Sequence, residues 1–152
     1  MRLDEFLANH HVPFERLQHE LAYTANRVAE MLHVKGKEMV KTVLLRTGHG
    51  YALAVLPASY SVDLDRAGRD LDEDYVGLAM ESDMDQLFPD CLRGAMPPFG
   101  SLYDVPTLVD DSLGEDDEIV FEVEDHEKAI RMKYCDFVAV EHPRIGHFAR
   151  HG

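Results

Sequence analysis

Residues 39–56 constrain the fold of this 152-residue chain more than any other stretch. An apolar run rich in β-branched residues comes first, Met39-Val40-Lys41-Thr42-Val43-Leu44-Leu45, and a second apolar run, Tyr51-Ala52-Leu53-Ala54-Val55-Leu56, follows Gly48-His49-Gly50. Two such runs joined by a short connection that contains glycine are typical of a β-hairpin. The sequence therefore predicts a central hairpin, and Lys41 is the one charged residue within its two runs.

Lys41 has two interpretations from the sequence. A lysine in an apolar strand either lies at a sheet edge, where its side chain extends to water, or places a cation in a cleft. The periodicity of the strand leaves both possibilities open.

Short helices and strands are predicted on both sides of the hairpin. They are a helix over 3–11, a strand from Phe14 to His19, a helix that Thr24 caps, a helix over 63–71, a strand over 75–80, a helix from Asp83 to Phe88 capped by Ser82, strands over 107–110 and 119–123, a strand over 129–132 that pairs with the latter, and a closing helix over 134–140. The order lacks the regular βαβ alternation of a parallel sheet. We therefore expect an α+β fold, with a mixed and mostly antiparallel sheet or barrel and short helices packed outside.

Composition predicts one globular domain over residues 1–152. Hydrophobic residues make up 45% of the chain, which is enough for a full core. Asp4 and Glu5 stand where a signal peptide would carry basic residues, and no apolar run is long enough to span a bilayer. Cys91 and Cys135 lack CxxC spacing. We expect a cytoplasmic protein with reduced thiols and no membrane partner.

The negative charge is concentrated in the middle of the chain. The net charge is −14, and residues 51–127 carry 21 acidic against three basic residues. Such a segment repels phosphate backbones, and the chain lacks the basic stripe of a stand-alone nucleic-acid-binding protein. We expect no DNA partner, and any contact with another nucleic acid has to use the less acidic ends.

The segment Gly94-Ala95-Met96-Pro97-Pro98-Phe99-Gly100 combines two glycines with a Pro-Pro pair. Glycine permits positive φ and close backbone approach, while proline fixes φ and supplies no N–H. We predict a stiff, exposed loop whose remaining amides are available to a ligand. The alternative is a rigid connection without a function of its own.

Taken together, these segments resemble the YbaK-type aminoacyl-tRNA deacylases, which include the editing domain inserted in, or working beside, prolyl-tRNA synthetase. The resemblance rests on Val40-Lys41-Thr42-Val43-Leu44-Leu45, on Ala54-Val55-Leu56-Pro57-Ala58, and on the Gly94–Gly100 loop, and it extends from about Leu3 to Val140. It implies hydrolysis of the ester bond of a mischarged tRNA that carries a small amino acid. Small side chains differ by only about 1–3 kcal/mol in a binding pocket, so a second hydrolytic step is needed for accurate selection.

The resemblance also implies roles for individual residues. Lys41 matches the family's functional lysine, Gly94 and Pro98 match its loop, and Gly100 closes that loop. Some family members have Asn directly after the lysine, where this chain has Thr42. Their substrate specificity is therefore not carried over to this chain.

Ester hydrolysis requires stabilisation of charge at the carbonyl oxygen and an oriented nucleophile. We predict that Lys41 and the backbone amides of Gly94, Ala95 or Met96 supply the first. Because no side-chain nucleophile is evident, water or the neighbouring ribose hydroxyl is the expected nucleophile.

Other residues are candidates for substrate binding: Thr42, Pro98, Phe99, Gly100, Ser101 and His19. For Phe99 ordinary packing is an equal alternative, for Ser101 a turn, and for His19 a capping or core hydrogen bond. We expect no cofactor and no metal, since His147 and His151 lack a third ligand nearby.

The expected partners are the acceptor end of an aminoacyl-tRNA and an aminoacyl-tRNA synthetase. Two other functions stay open: a non-catalytic module that binds tRNA or a synthetase, and a hydrolase of another small acyl ester.

Overall fold

A five-stranded sheet built on the central hairpin organises the structure. The computed structural model describes residues 2–19, 30, 32, 38–115 and 117–151. Its strands are β1 (Glu15–Gln18), β2 (Val40–Thr47), β3 (Gly50–Pro57), β4 (Tyr60–Val62), β5 (Val76–Leu78), β6 (Thr107–Asp110), β7 (Glu118–Glu122), β8 (Lys128–Lys133), β9 (Arg144–Gly146) and β10 (Ala149–His151). Its α-helices are α1 (Arg2–Asn9), α2 (Leu64–Leu71), α3 (Glu81–Leu87) and α4 (Tyr134–Glu141), and 3₁₀ helices cover Gly100–Tyr103 and Asp111–Glu115.

The predicted hairpin forms from β2 and β3. The two strands pair antiparallel, with Lys41 opposite Leu56 and Thr47 opposite Gly50. Gly50 has a φ of +138°, a conformation that L-residues with a side chain rarely adopt. The glycine at this turn therefore fixes where the chain reverses, and the turn fixes the register in which Lys41 pairs with β3.

Two further sheets complete the α+β fold. The main sheet has the order β5-β2-β3-β6-β9, and the smaller sheets have the orders β1-β8-β7 and β10-β4. The pairs β3–β6 and β6–β9 are parallel, whereas the other strand pairs are antiparallel. The predicted mixed, mostly antiparallel sheet is confirmed, and the described strands form open sheets rather than a closed barrel.

A single parallel bridge links the main sheet to the β1-β8-β7 sheet. It pairs Met39, just before β2, with Val120 of β7, and the Val120 amide donates to the Glu38 carbonyl at 2.8 Å. Both bridge residues are buried. Because parallel strands run in step, the bridge brings the start of β2 alongside the end of β7.

The core lies on both faces of the hairpin. One face packs Leu45 and Leu56 against Ala67 of α2 and against Phe148. The opposite face packs Val40 and Val55 into an aromatic cluster of Phe99, Phe121 and Phe137. Apolar burial on two sides of one hairpin explains why both of its runs are almost continuously hydrophobic. No helix in the described part of the chain is long and apolar enough to cross a membrane.

Two local predictions need comment. Ser82 is wrong as the helix cap, because α3 begins at Glu81 and the Met80 amide donates to the Asp83 carboxylate at 2.9 Å. A carboxylate three residues into a helix can satisfy the first free N–H as well as a preceding hydroxyl can. The predicted helix at Thr24 lies outside the described residues, apart from positions 30 and 32.

Candidate active site

A cavity of about 190 Å³ lies between the start of β2, the segment around Gly94 and the end of β7. Seven residues line it: Val40, Lys41, Thr42, Gly94, Met96, Phe121 and Glu122. Lys41 therefore shares one cavity with Gly94 and Met96, although more than fifty positions of sequence separate them. This is the convergence that the sequence analysis predicted.

The edge of β2 is open beside this cavity. The neighbouring strand β5 pairs only with Leu45, Arg46 and Thr47, so the first half of β2 has no β5 partner. The Leu44 carbonyl points away from β3, since it accepts the Ala79 amide at 3.0 Å. Peptide groups alternate in direction along an antiparallel strand. The N–H and C=O of Thr42, two residues before Leu44, therefore point to the side that the cavity occupies.

Lys41 is a partly buried cation in the cavity wall. Burial lowers the pKa of its ammonium, because a low-dielectric environment disfavours the charged form. No carboxylate in the described ranges forms an ion pair with Lys41. Its three N–H donors are therefore suited to an anionic or carbonyl oxygen of a ligand.

Thr42 fixes the Gly94–Gly100 segment against β2. Its hydroxyl donates to the Met96 carbonyl at 2.8 Å. The bond joins two elements that are 54 positions apart and holds Met96 in the cavity lining. Thr42 thus has a positioning role in this chain, in addition to its predicted role in substrate binding.

Gly94 is the exposed corner of the segment and has a φ of +83°. A Cβ added there would lie 3.5 Å from Cε1 of His126, which is an ordinary contact. Glycine is thus required by backbone conformation rather than by lack of space.

The backbone amides of this segment differ in availability. The Ala95 amide donates to the Leu92 carbonyl at 3.0 Å and is occupied by that turn. Among the described residues, no acceptor engages the amide of Gly94 or of Met96. Of the three amides predicted to bind a carbonyl oxygen, Gly94 and Met96 fit that role better than Ala95.

The prediction of an exposed loop is wrong beyond Gly94. Residues 95–100 are all buried. The cause is the side chains: Phe99 packs against Phe121 and Phe137, with ring centroids 5.9 and 5.3 Å away. The glycine and proline content of the segment predicts a turn correctly, but its apolar residues carry it into the core.

The end of the segment is held by a buried carboxylate. Glu141 of α4 accepts the Ser101 amide at 3.1 Å, the Ser101 hydroxyl at 2.5 Å and the Thr107 hydroxyl at 2.7 Å. The Thr107 oxygen in turn accepts the Gly100 amide at 2.9 Å. Gly100 and Ser101 therefore lie in a structural network outside the cavity lining.

The remaining predicted residues lie at different depths. Pro98 and Phe99 are buried and do not line the cavity. The His19 amide donates to the Glu127 carbonyl at 2.9 Å, and the charge of its side chain acts on Glu122. His19 thus lies next to the cavity wall, while its role and those of Pro98, Phe99, Gly100 and Ser101 in substrate binding stay predictions.

Sequence reasoning missed two residues at the site, Glu122 and His126. Glu122 is 7% exposed and lines the cavity, and His126 Nδ1 lies 3.4 Å from its Oε1. His126 Nε2 donates to the Arg93 carbonyl at 2.9 Å, so the ring links the β7–β8 turn to the residue before Gly94. The available signal was an acidic residue and a histidine four positions apart beyond an apolar strand.

Two other features do not overlap with the predicted site. A groove of about 460 Å³ lies at the turn end of the hairpin, where its polar lining includes His49, Glu73 and Arg144.

A possible metal site is formed by three residues that lie close together, Asp110, Asp111 and His147. However, Asp110 already accepts hydrogen bonds from Ser112, Phe148 and Ala149. These bonds give Asp110 a structural role.

Comparisons with known proteins find matches that cover most of the chain. A sequence model described as the aminoacyl-tRNA editing domain matches residues 19–140. The chain is 26% identical to the multifunctional Ser/Thr-tRNA deacylase ProXp-y of Escherichia coli K12, over 98% of this chain and 92% of that protein.

Solved structures show the same fold. The hypothetical protein APE2540 superposes with a TM-score of 0.90 at 16% identity, over 99% of this chain and 100% of that one. A candidate trans-editing enzyme for prolyl-tRNA synthetase superposes with a TM-score of 0.84 at 18% identity, over 98% and 95% of the two chains.

Proposed function

The chain belongs to the aminoacyl-tRNA editing domain family, and we propose that it hydrolyses the ester bond of a mischarged aminoacyl-tRNA in the cavity between Lys41 and Gly94. The predicted family and the predicted class of enzyme, an aminoacyl-tRNA deacylase, are confirmed. The placement of the reaction is the proposal, and the observation that carries it is the shared cavity of Lys41, Gly94 and Met96.

Charge stabilisation at the ester carbonyl is the first task of the site. As the carbonyl carbon becomes tetrahedral, negative charge develops on its oxygen, and donors already aimed at that oxygen lower the barrier. The Lys41 ammonium and the Gly94 and Met96 amides are the candidate donors. Partial burial of Lys41 strengthens its interaction with the developing charge, because less water screens it.

The nucleophile comes from solvent or from the substrate. Both cysteines lie outside the cavity lining, and burial raises the pKa of the Cys91 thiol to about 11, which leaves it protonated at neutral pH. Water, or the ribose hydroxyl beside the ester, is therefore the proposed attacking group. The peptide groups of Thr42 at the open edge of β2 are suited to orienting it.

The size of the cavity favours a small amino acid. About 190 Å³ is below the usual range for pockets that enclose drug-sized ligands. The related E. coli protein is a Ser/Thr-tRNA deacylase. We therefore place serine, threonine and alanine first among the candidate aminoacyl groups.

The charge of the protein limits how it binds tRNA. With a net charge of −14, the protein as a whole repels the phosphate backbone, so the proposed contact is confined to the acceptor end. A synthetase that delivers the tRNA is a proposed second partner. We further propose that residues 1–152 act as one editing domain and that the protein works in the cytoplasm, where its substrate is made.

The test is a deacylation assay on purified aminoacyl-tRNAs. Ser-, Thr- and Ala-tRNA are incubated with the wild-type protein and with Lys41→Met, and the remaining ester is measured over time. We expect ester loss with at least one of the three substrates and a rate lowered about tenfold or more in Lys41→Met.

Two controls separate the proposal from its alternatives. Intact ester together with tRNA binding would identify a binding module, and hydrolysis of free serine or alanine methyl ester without tRNA would identify a general esterase. Equal rates for the wild type and Lys41→Met would contradict the placement of the reaction at this cavity.

A further inference from the structure

Glu122 lines the same cavity as Lys41, and its side chain is buried. Glu122 ends β7, and the Met39–Val120 bridge explains its position. Lys41 lies two residues after Met39, and Glu122 lies two residues after Val120. Because the two segments run parallel and side chains alternate between faces, Lys41 and Glu122 lie on the same face. The cavity therefore has a cationic wall and an anionic wall that come from different sheets.

The partner of Glu122 on the protein side is a histidine. Its Oε1 lies 3.4 Å from His126 Nδ1, and both side chains are over nine-tenths buried. His126 Nε2 has to carry a proton, because the Arg93 carbonyl that it contacts can only accept. His126 Nδ1 is therefore the ring nitrogen that faces the Glu122 carboxylate.

The electrostatic surroundings of Glu122 favour an additional cation. Burial raises the pKa of its carboxyl group, and Asp125 acts in the same direction, while the charges of His126 and His19 oppose the shift. A raised carboxyl pKa means that the anion is incompletely stabilised in the protein alone. A ligand cation placed in the cavity would offset this deficit.

The proposed substrate carries such a cation. An aminoacyl ester has an α-ammonium nitrogen only about 2.5 Å from its carbonyl carbon, as bond lengths and angles dictate. When the carbonyl oxygen lies against Lys41 and Gly94, the ammonium therefore lies inside the same small cavity. It would be repelled by Lys41 and attracted to the opposite wall.

We propose that Glu122, held by His126, binds the α-ammonium group of the aminoacyl moiety and thereby restricts the site to esters with a free α-amine. This inference rests on the proposed function and adds to it a substrate class. N-acylated aminoacyl esters, including the formylated and peptidyl forms, lack the ammonium charge and are poor ligands for a buried carboxylate.

The experiment compares Ser-tRNA with N-acetyl-Ser-tRNA as substrates. Wild type, Glu122→Gln and Glu118→Gln are assayed for kcat/KM on both. Glu118 is an exposed acidic residue on the same strand and serves as the matched control. We expect the wild type and Glu118→Gln to prefer Ser-tRNA by about tenfold or more, the effect of one charge-assisted hydrogen bond, and we expect Glu122→Gln to lose most of that preference.

Two outcomes would overturn the inference. One is a wild-type enzyme that hydrolyses both substrates equally. The other is a Glu122→Gln enzyme slowed by the same factor on both, which would indicate a structural or proton-transfer role. If Glu122→Gln does not fold, as monitored by circular dichroism, the ratio is measured for Glu122→Met, which also lacks the charge, and an unchanged ratio there counts against the proposal.

A binding measurement keeps this inference separate from the proposed function. The probe is 3′-deoxy-3′-serylamino-adenosine, an amide that is not an ester substrate, compared with its N-acetylated form by calorimetry. Preferential binding of the free amine by the wild type but not by Glu122→Gln supports the ammonium site even if no tRNA is deacylated. Equal binding of both forms contradicts it even if deacylation is observed.

Discussion

Gly94→Ala gives a sharp test of the site because its cost follows from one backbone angle. The φ of +83° is strained for a residue with a Cβ, and the nearest atom to that Cβ would be His126 Cε1 at a comfortable 3.5 Å. The cost is therefore conformational, and we expect the substitution to lower the free energy of unfolding by about 1–2 kcal/mol. A steric clash would contribute little.

Gly50→Ala is the matched control for this change. Gly50 also has a positive φ, +138°, and a Cβ there would meet no atom within 4 Å. It lies in the hairpin turn and does not line the Lys41 cavity. We expect a loss of stability similar to that of Gly94→Ala, about 1–2 kcal/mol, without a change in the rate of deacylation.

Gly100→Ala separates strain from steric overlap. A Cβ there would lie 2.2 Å from the Val105 carbonyl oxygen, a backbone atom that cannot move alone because the Val105 amide bonds to the Gly100 carbonyl at 2.9 Å. We expect a larger loss of stability, about 3 kcal/mol or more. The order of destabilisation should therefore be Gly100→Ala, then Gly94→Ala and Gly50→Ala together.

The assay is urea unfolding followed by far-UV circular dichroism, since the chain has no tryptophan. Deacylation of Ser-, Thr- and Ala-tRNA is measured in parallel, under conditions where each variant is folded. Only Gly94→Ala should lower the rate by about tenfold, through loss of one backbone donor at the carbonyl oxygen. A Gly94→Ala protein that is destabilised yet fully active would refute the idea that this backbone contacts the substrate.

Three other changes test single features of the structure. Lys41→Met should abolish most deacylation and leave the urea midpoint within error of the wild type, because the ammonium is partly desolvated and lacks an ion pair among the described residues. A large drop in the midpoint would show that Lys41 is structural. Thr42→Val should cost about 1 kcal/mol of stability and lower activity, because the 2.8 Å bond to the Met96 carbonyl is lost, whereas Thr42→Ser should retain both; equal behaviour of the two variants would contradict the bond. Asp63→Asn tests pH dependence at the cap of α2. The Arg66 amide donates a hydrogen bond to the Asp63 carboxylate and holds the pKa of that carboxyl group below its usual value. The charged cap therefore stabilises the fold above the usual pKa, and this stabilisation is lost as the pH falls through the lowered pKa. The difference in Tm between wild type and Asp63→Asn should therefore shrink between pH 5 and acid, and a constant difference would contradict the shift.

Local sequence patterns were sufficient for most elements of the fold. The hairpin, α2 and the β7–β8 pair were predicted because their signals lie within a few residues: apolar runs, an acidic helix start and a short connection. The strands β4, β9 and β10 were missed because they are three residues long and pair with partners far along the chain. In a strand of that length, pairing and not propensity decides the conformation.

The burial of residues 95–100 shows why loop composition alone misled the prediction. Glycine and proline determine the dihedral angles of the segment, and those effects are local. Whether the segment lies on the surface depends on Thr42 at one end and Glu141 at the other, which hold Met96 and Ser101 from strands and helices distant in sequence. A Gly/Pro-rich segment with Met and Phe between its turns is better interpreted as a turn inserted into the core.

Contacts between residues distant in sequence also explain why the sequence predicted Lys41, but not Glu122, as a candidate site residue. Lys41 is conspicuous as a charge inside an apolar strand, while Glu122 lies between four acidic residues at positions 115–118 and three more at positions 124, 125 and 127. What distinguishes Glu122 is the Met39–Val120 bridge, which sets it in register with Lys41 and removes it from water. A single parallel pairing thus places one of 29 acidic residues in the lining of the cavity that Lys41 shares, and the proposed role of that residue is tested directly by the preference for a free α-amine.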